Sequence, residues 1–269
     1  MKNIIEIKNL NYSVSNNIIF KDLNMCIKED SFVSIAGNNT SGKTTLIKLI
    51  GGLLPSDNSI IIGYSYLNSN RLYDHMNDLG IVFGSRLNSF LFDTVYKEMT
   101  YPLENLNYNE EAIEDRILEL AKFFDIKRLL DKKTYDLTNS EKQEVLIAIA
   151  LLHKPKILLL DNPFSMMDNK TKIKMVKKLK EYRNKNKLTI VLTTTNLEDT
   201  LASDYLYIIN KGNVVIEGKP LSVLREDSII NRLGLSMPFM VDLSLKLEFY
   251  KLINNIELDM ESMVNTLWK

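Results

Sequence analysis

The chain has 269 residues, 34 basic and 34 acidic side chains, and a hydrophobic content of 45%. This length supports a sizeable core, and the composition excludes a disordered chain, a fibre or a disulfide-stabilised mini-protein. Because the charges cancel, a surface built to bind nucleic acid is not expected. With one cysteine, no secretory signal and apolar runs too short for a membrane helix, the sequence predicts a cytosolic protein that does not itself span a bilayer.

Short β-strands are predicted for the first third of the chain. Their apolar residues form short or alternating runs, and Asn, Ser, Gly and Pro residues separate them. These strands are predicted at 4–7, 18–27, 32–36, as a pair within 59–66, and at 80–83.

A helical block comes next, because Ile113, Ile117 and Leu120 recur at helical spacing within 96–130. The following strands are separated by helical stretches long enough for parallel crossovers, so the core sheet is predicted to be largely parallel. Beyond Pro220 the chain is predicted to be helical, with a last helix at about 241–267. The later strands are predicted at 157–160, 188–192, 205–209 and 214–217, the last two forming a hairpin.

The segment 37–44 fits the phosphate-binding pattern G-x-x-x-x-G-K-[ST] between a predicted strand and a predicted helix. In such a loop the backbone N–H groups and the helix N-terminus face the phosphates. Lys43 is expected to reach the β- and γ-phosphates of a bound nucleotide, and Thr44 to supply a hydroxyl to Mg²⁺. The predicted nucleotide-binding residues are Gly37, Asn38, Asn39, Thr40, Ser41, Gly42, Lys43, Thr44 and Thr45.

An acidic residue later in the chain supports the prediction of a nucleotide site. Asp161 directly follows the apolar run 157–160, so its carboxylate is predicted at the carboxyl end of a buried strand, where α/β sheets bind ligands. We therefore expect Asp161 and Thr44 to hold the same Mg²⁺ ion.

The segment Leu137-Thr138-Asn139-Ser140-Glu141 precedes this strand, and the order of loop, helical block, segment and acidic strand resembles an ATP-binding cassette (ABC) of a transporter over residues 1–222. The stretch 233–239 looks like the C-terminal extension of the energy-coupling factor (ECF) type, whose members drive vitamin and metal uptake. The resemblance implies an α/β P-loop cassette with an antiparallel β subdomain, a helical subdomain inserted at about 86–155, and a helical extension at 223–269.

In this family each ATP lies between the phosphate loop of one cassette and the signature segment, usually LSGGQ, of another. Here the signature segment reads LTNSE, so Asn139 and Ser140 replace two glycines. Glu141 is expected to bring a negative charge near the γ-phosphate and to repel it. By resemblance, the nucleotide-contacting residues of this segment are Thr138, Asn139, Ser140 and Glu141.

Other active-site positions also depart from the family pattern. Asn162 stands where a glutamate activates water, and an amide cannot take that proton; it also fits a helix N-cap before Pro163. Thr195 stands in place of the switch histidine, Gly84 in place of a glutamine, and Val14 in place of the aromatic residue that stacks on adenine. The sequence therefore predicts a cassette that binds ATP and hydrolyses it poorly.

The resemblance also implies partners. We expect a heterodimer with a second cassette, a membrane coupling protein that meets the groove at 84–91, a substrate-binding membrane subunit, and a peripheral position on the cytoplasmic membrane face. No nucleic-acid partner is expected. A non-hydrolysing structural or regulatory cassette that dimerises with an active ATPase remains the alternative.

Two surface features are left open by the sequence. The stretch 170–187 has nine basic residues and one acidic residue, which fits either a solvated helix face or contact with anionic lipid head groups. Apolar residues at helical spacing near the end of the chain fit either a dimer contact or a core face. They are Leu235, Phe239, Leu243, Leu247 and Tyr250.

Overall fold

The computed structural model describes residues 2–63, 65–67, 75–84 and 90–268. In this part of the chain a four-stranded sheet has the order β2-β1-β4-β5 and a six-stranded sheet the order β10-β9-β3-β8-β7-β6. The strands are β1 Asn3–Val14, β2 Asn17–Lys28, β3 Phe32–Ala36, β4 Ile60–Ile62, β5 Ser65–Tyr66, β6 Leu79–Phe83, β7 Ile157–Asp161, β8 Thr189–Thr194, β9 Tyr205–Asn210 and β10 Asn213–Gly218.

The four-stranded sheet is antiparallel, as a sheet built from hairpins must be. Its first hairpin turns at Ser15 and Asn16, which have left-handed φ angles of 47° and 69°. The predicted strand pair near residue 60 is confirmed by the pairing of β4 with β5. This sheet is the antiparallel β subdomain that the sequence predicts.

The six-stranded sheet is parallel from β9 to β6, and only β10 runs antiparallel, to β9. Strands β3, β7 and β8 are buried along their whole length, which explains why their sequences are rich in aliphatic and β-branched residues. In register, Asp161 pairs with Thr193 on one side and with Phe83 on the other. The carboxyl ends of these strands therefore meet at one edge of the sheet.

Helices cover the six-stranded sheet, and the helices α2, α3 and α4 lie between β6 and β7 in the chain. The helices are α1 Lys43–Ile50, α2 Val95–Asn105, α3 Glu110–Phe123, α4 Asn139–Ala150, α5 Asn169–Asn186, α6 Pro220–Leu224, α7 Asp227–Arg232, α8 Phe239–Phe249 and α9 Met260–Leu267. The predicted helical stretch 96–130 is thus divided, because Asn107 adopts φ 59° and Asn109 caps α3 by accepting the amide of Ala112 at 2.8 Å.

The prediction of one last helix at 241–267 is wrong, because α8 ends before Tyr250 and α9 begins after Asp259. Lys251 has a left-handed φ of 59°, which stops α8. Asp259 caps α9 by accepting the amide of Ser262 at 2.8 Å. The Ser244 hydroxyl donates to the Glu257 carbonyl at 3.0 Å, so the connecting segment folds back on α8.

The apolar residues of this extension divide between core and surface. Leu235 is buried, with 5% of its surface exposed, whereas Phe239 and Tyr250 are 66% and 71% exposed. Leu235 is therefore a core residue, and the dimer-contact interpretation stays open for the exposed pair. Within the described residues, no helix has the length and apolar character needed to cross a membrane.

Candidate nucleotide-binding site

The phosphate loop connects β3 to α1 and is organised around the ammonium group of Lys43. That group donates to the carbonyls of Gly37 and Asn38, both at 2.7 Å, and contacts Ser41 Oγ at 3.2 Å. Burial lowers the pKa of Lys43 to about 8, although the nearby Asp161 carboxylate raises it. The lysine is thus positioned by its own loop, while Asn38, Asn39 and Thr40 are exposed.

The two residues predicted to share Mg²⁺ lie side by side. The Thr44 hydroxyl donates to Asp161 Oδ2 at 2.8 Å. Asp161 is buried, with 5% of its surface exposed, and its other oxygen accepts a hydrogen bond from the Thr193 hydroxyl at 2.6 Å. Hard oxygen donors of this kind are the ligands that Mg²⁺ prefers, so the donor set fits this ion.

Thr193 holds Asp161 in place but is absent from the residues predicted from the sequence. A threonine at the end of a buried strand next to the acidic strand is a weak signal, because many strand threonines only pack. The contact depends on the parallel register of β7 and β8, which pairs the two residues directly.

Asn162 does not cap a helix, so that part of the prediction is wrong. It has a left-handed φ of 50°, and its carbonyl accepts a hydrogen bond from the Ser165 hydroxyl at 3.0 Å. The next helix, α5, begins at Asn169 and is capped instead by Asp168, which accepts the amide of Thr171 at 2.9 Å. Asparagine tolerates the left-handed region better than most residues, which explains the residue type at this turn.

Three of the departing positions converge at the carboxyl edge of the sheet. Gly84 follows β6, Asn162 follows β7 and Thr195 follows β8, and these three strands are neighbours. The Gly84 amide donates to the Asp161 carbonyl at 2.8 Å, which places it directly against this edge. Gly84 has no side chain, and the other two positions offer one amide and one hydroxyl, neither of which acts as a general base at neutral pH. Val14, at the end of β1, is 49% exposed.

The signature segment forms the N-terminus of α4. Thr138 is the N-cap and accepts the Glu141 amide at 3.2 Å, while the Glu141 carboxylate accepts the Thr138 amide at 3.0 Å. This reciprocal pair is a capping box. Ser140 donates its hydroxyl to Asp168 at 2.9 Å, so the segment is also tied to the cap of α5.

The negative charge that the sequence predicts at Glu141 is compensated by neighbouring cations in the structure. Its carboxylate lies 2.6 Å from Arg128 and 3.1 Å from Lys132. Burial raises the pKa of Glu141, but hydrogen bonds from Arg128, the Thr138 amide and Lys132 outweigh that effect and hold the pKa at about 2. Two cations therefore compensate the charge of this one carboxylate. Arg128 and Lys132 belong to a basic run just before the segment, which is a signal that sequence reasoning missed.

The geometry agrees with the comparisons to known proteins. The sequence profile of the ABC transporter family matches residues 20–165. The ATP-binding protein EcfA2 of the energy-coupling factor transporter from Caldanaerobacter subterraneus is 34% identical over 235 residues, 86% of this chain and 82% of the relative. This chain belongs to the ABC transporter family of ATPases, among the energy-coupling factor ATP-binding proteins.

Two further relatives match this chain over most or all of its length. The EcfA1 protein of Fusobacterium nucleatum is 32% identical over 273 residues, 99% of both chains. The structure of cbiO1 from Clostridium perfringens, part of the ABC transporter complex cbiONQ, superposes with a TM-score of 0.79 at 27% identity. It covers 90% of this chain and 99% of cbiO1. The predicted ABC-type fold and the ECF resemblance are both confirmed.

Proposed function

We propose that this ECF-type ABC ATPase subunit binds MgATP in its phosphate loop, hydrolyses it slowly, and drives the transmembrane uptake of a vitamin or a metal ion. The observation that carries the proposal is the bond between Thr44 and Asp161 beside Lys43. It joins the two halves of a nucleotide site at one edge of the sheet. The adjacent positions Asn162 and Thr195 lack the carboxylate and imidazole of an efficient hydrolase.

In this proposal Lys43 holds the β- and γ-phosphates of ATP, and Thr44 and Asp161 hold Mg²⁺. The ion supplies positive charge that stabilises the charge developing on the phosphates. Thr193 orients the Asp161 carboxylate through the 2.6 Å hydrogen bond. Asn162 can orient a water molecule through its amide, but it accepts no proton, and the loss of a general base costs about 10²- to 10⁴-fold in rate.

The second part of the proposal concerns the partner cassette. The signature segment of this chain completes the site of that cassette through Thr138, Asn139, Ser140 and the backbone at Glu141. Compensation of the Glu141 charge by Arg128 and Lys132 supports this role, because the carboxylate then adds no net repulsion toward a phosphate. A heterodimer in which the partner hydrolyses ATP fits these features.

The remaining partners follow from the family. We place the subunit at the cytoplasmic membrane face, against a membrane coupling protein and a substrate-binding membrane subunit. The groove predicted to meet the coupling protein falls mainly on residues 85–89, which lie outside the described residues. The alternative, a regulatory cassette that never hydrolyses ATP, shares the same binding site and differs only in turnover.

The experiment measures MgATP binding by calorimetry and phosphate release, for the chain alone and in a purified complex with its candidate partner cassette. Lys43→Ala removes the loop ammonium, and Lys48→Ala, in the same helix, is the matched control. We expect binding to be lost only in Lys43→Ala, with little release by the isolated chain. Brisk release by the isolated chain would overturn slow hydrolysis. In a complex whose partner cassette also carries an alanine at its own phosphate-loop lysine, slow phosphate release that depends on Lys43 supports the proposal, and the absence of any release favours the regulatory alternative.

A further inference from the structure

The phosphate loop directly contacts the C-terminal extension. Asn38, the second residue of the loop, donates its side-chain amide to the backbone carbonyl of Leu233. The carbonyl of the same Asn38 accepts the Lys43 ammonium at 2.7 Å. One residue of the loop therefore joins the phosphate-binding lysine to the extension, across 195 positions of sequence.

The end of α7 is shaped to offer this carbonyl. Gly234 follows the helix with a left-handed φ of 66°, which glycine adopts at little cost. Its amide donates to the Asn231 carbonyl at 2.9 Å, and the Leu235 amide donates to the Ile230 carbonyl at 3.2 Å. The carbonyl of Leu233 is thus turned to Asn38, and a Cβ atom at position 234 would lie 3.8 Å from the Asn38 amide nitrogen.

Apolar packing reinforces the contact. Leu235 and Val241 of the extension belong to one buried cluster with Ala36, the residue that precedes the phosphate loop. Leu197, two residues after the switch position Thr195, belongs to the same cluster. The residue before the loop and the segment after β8 therefore share one apolar cluster with the extension.

We propose that residues 233–235 are positioning residues of the phosphate loop, and that nucleotide binding and docking of the extension on the loop stabilise each other. This inference rests on the proposed binding of MgATP. Nucleotide binding and docking of the extension both depend on Asn38 and on the cluster around Ala36, so each changes the equilibrium of the other. Such coupling is reciprocal. The extension thereby reports whether the loop holds a nucleotide.

Two variants of the full chain test the positioning role. Gly234→Ala strains the turn that presents the Leu233 carbonyl, and Leu235→Ala loosens the shared cluster. Ile253→Ala is the matched control, because Ile253 is a buried aliphatic residue of the extension outside this cluster. We expect a fluorescent ATP analogue with Mg²⁺ to bind at least about fivefold more weakly to both test variants, and to the control as it binds to wild type.

The reciprocal effect is measured by amide hydrogen exchange at residues 229–241 of the wild-type chain, with and without saturating MgATP. We expect nucleotide to slow exchange there, and to have no such effect in Asn38→Ala at a nucleotide concentration that saturates this variant. A purely structural role of the extension would not produce this dependence on nucleotide. Unchanged affinity in Gly234→Ala, or unchanged exchange in wild type, overturns the inference. The proposed function fails separately, if wild type binds no MgATP.

Discussion

The backbone carbonyl of Asn162 occupies the space that a side chain at position 84 would need. A Cβ atom on Gly84 would lie 2.2 Å from that oxygen, far inside van der Waals contact. Asn162 presents the oxygen because its own φ is left-handed, at 50°. The two departures from the family pattern, at 84 and at 162, are therefore sterically linked.

This linkage predicts the outcome of restoring the family glutamine. Gly84→Gln should displace the Asp161–Asn162 backbone and weaken MgATP binding, because overpacking against backbone atoms typically costs about 1–3 kcal/mol. Phosphate release should not rise. Gly63→Gln is the control away from the site: its left-handed φ of 63° makes the substitution cost stability, but nothing lies within 4 Å of a Cβ atom there, so no site backbone is displaced. Binding like wild type together with faster release in Gly84→Gln would contradict the linkage.

Thr193→Val should weaken binding of ATP in the presence of Mg²⁺ and leave binding without Mg²⁺ nearly unchanged. The variant removes the hydrogen bond that orients Asp161, and a bond to a charged group contributes about 1.5–3 kcal/mol. We therefore expect a loss of at least about tenfold in affinity for MgATP. Calorimetry with Mg²⁺ and with EDTA measures the difference.

The control for this experiment is Thr189→Val, at the other end of the same strand. Thr189 is equally buried, and its hydroxyl oxygen accepts the Asp30 amide at 3.0 Å, away from the site. The control should lose stability without a change specific to Mg²⁺. Equal losses of MgATP affinity in the two variants would argue against a positioning role for Thr193.

Glu141→Ala should lower the free energy of unfolding by about 1–2 kcal/mol, because it removes half of the capping box and leaves Arg128 and Lys132 without their carboxylate. Urea denaturation measures the change. Glu181→Ala, on the exposed surface of α5, is the matched control and should stay within about 0.5 kcal/mol of wild type. A neutral effect of Glu141→Ala would mean that the cap contributes nothing to the stability of α4.

The same carboxylate predicts a dependence on pH. The pKa of Glu141 is lowered from 4.5 to about 2 in the folded chain, so its stabilising contribution is complete above pH 4.5 and is lost as the pH falls toward 2. The difference in unfolding free energy between wild type and Glu141→Gln should be constant from pH 7 to 5 and should shrink between pH 4.5 and 3. A difference that stays constant to pH 3 would refute the assignment.

The sequence alone determined the fold class and predicted the nucleotide half of the candidate site. The phosphate loop is recognisable because its glycines, lysine and threonine follow a strand and begin a helix within a few residues, so local geometry dictates their arrangement. Asp161 could also be predicted, since a carboxylate after an apolar run is typical of the end of a buried parallel strand. Local patterns also predicted the largely parallel sheet and the hairpin of β9 and β10.

Only the tertiary structure shows how Asp161, Glu141 and the phosphate loop are positioned. The Thr193 bond to Asp161, the two cations around Glu141 and the Asn38 contact with Leu233 each join residues that the chain brings together only by packing. The break between α8 and α9 could not be predicted from the sequence either, because apolar residues continue across it. The Ser244–Glu257 hydrogen bond, which folds the chain back, forms only in the tertiary structure. Spacing along a sequence fixes which residues share one element, whereas charge compensation and docking depend on how separate elements pack.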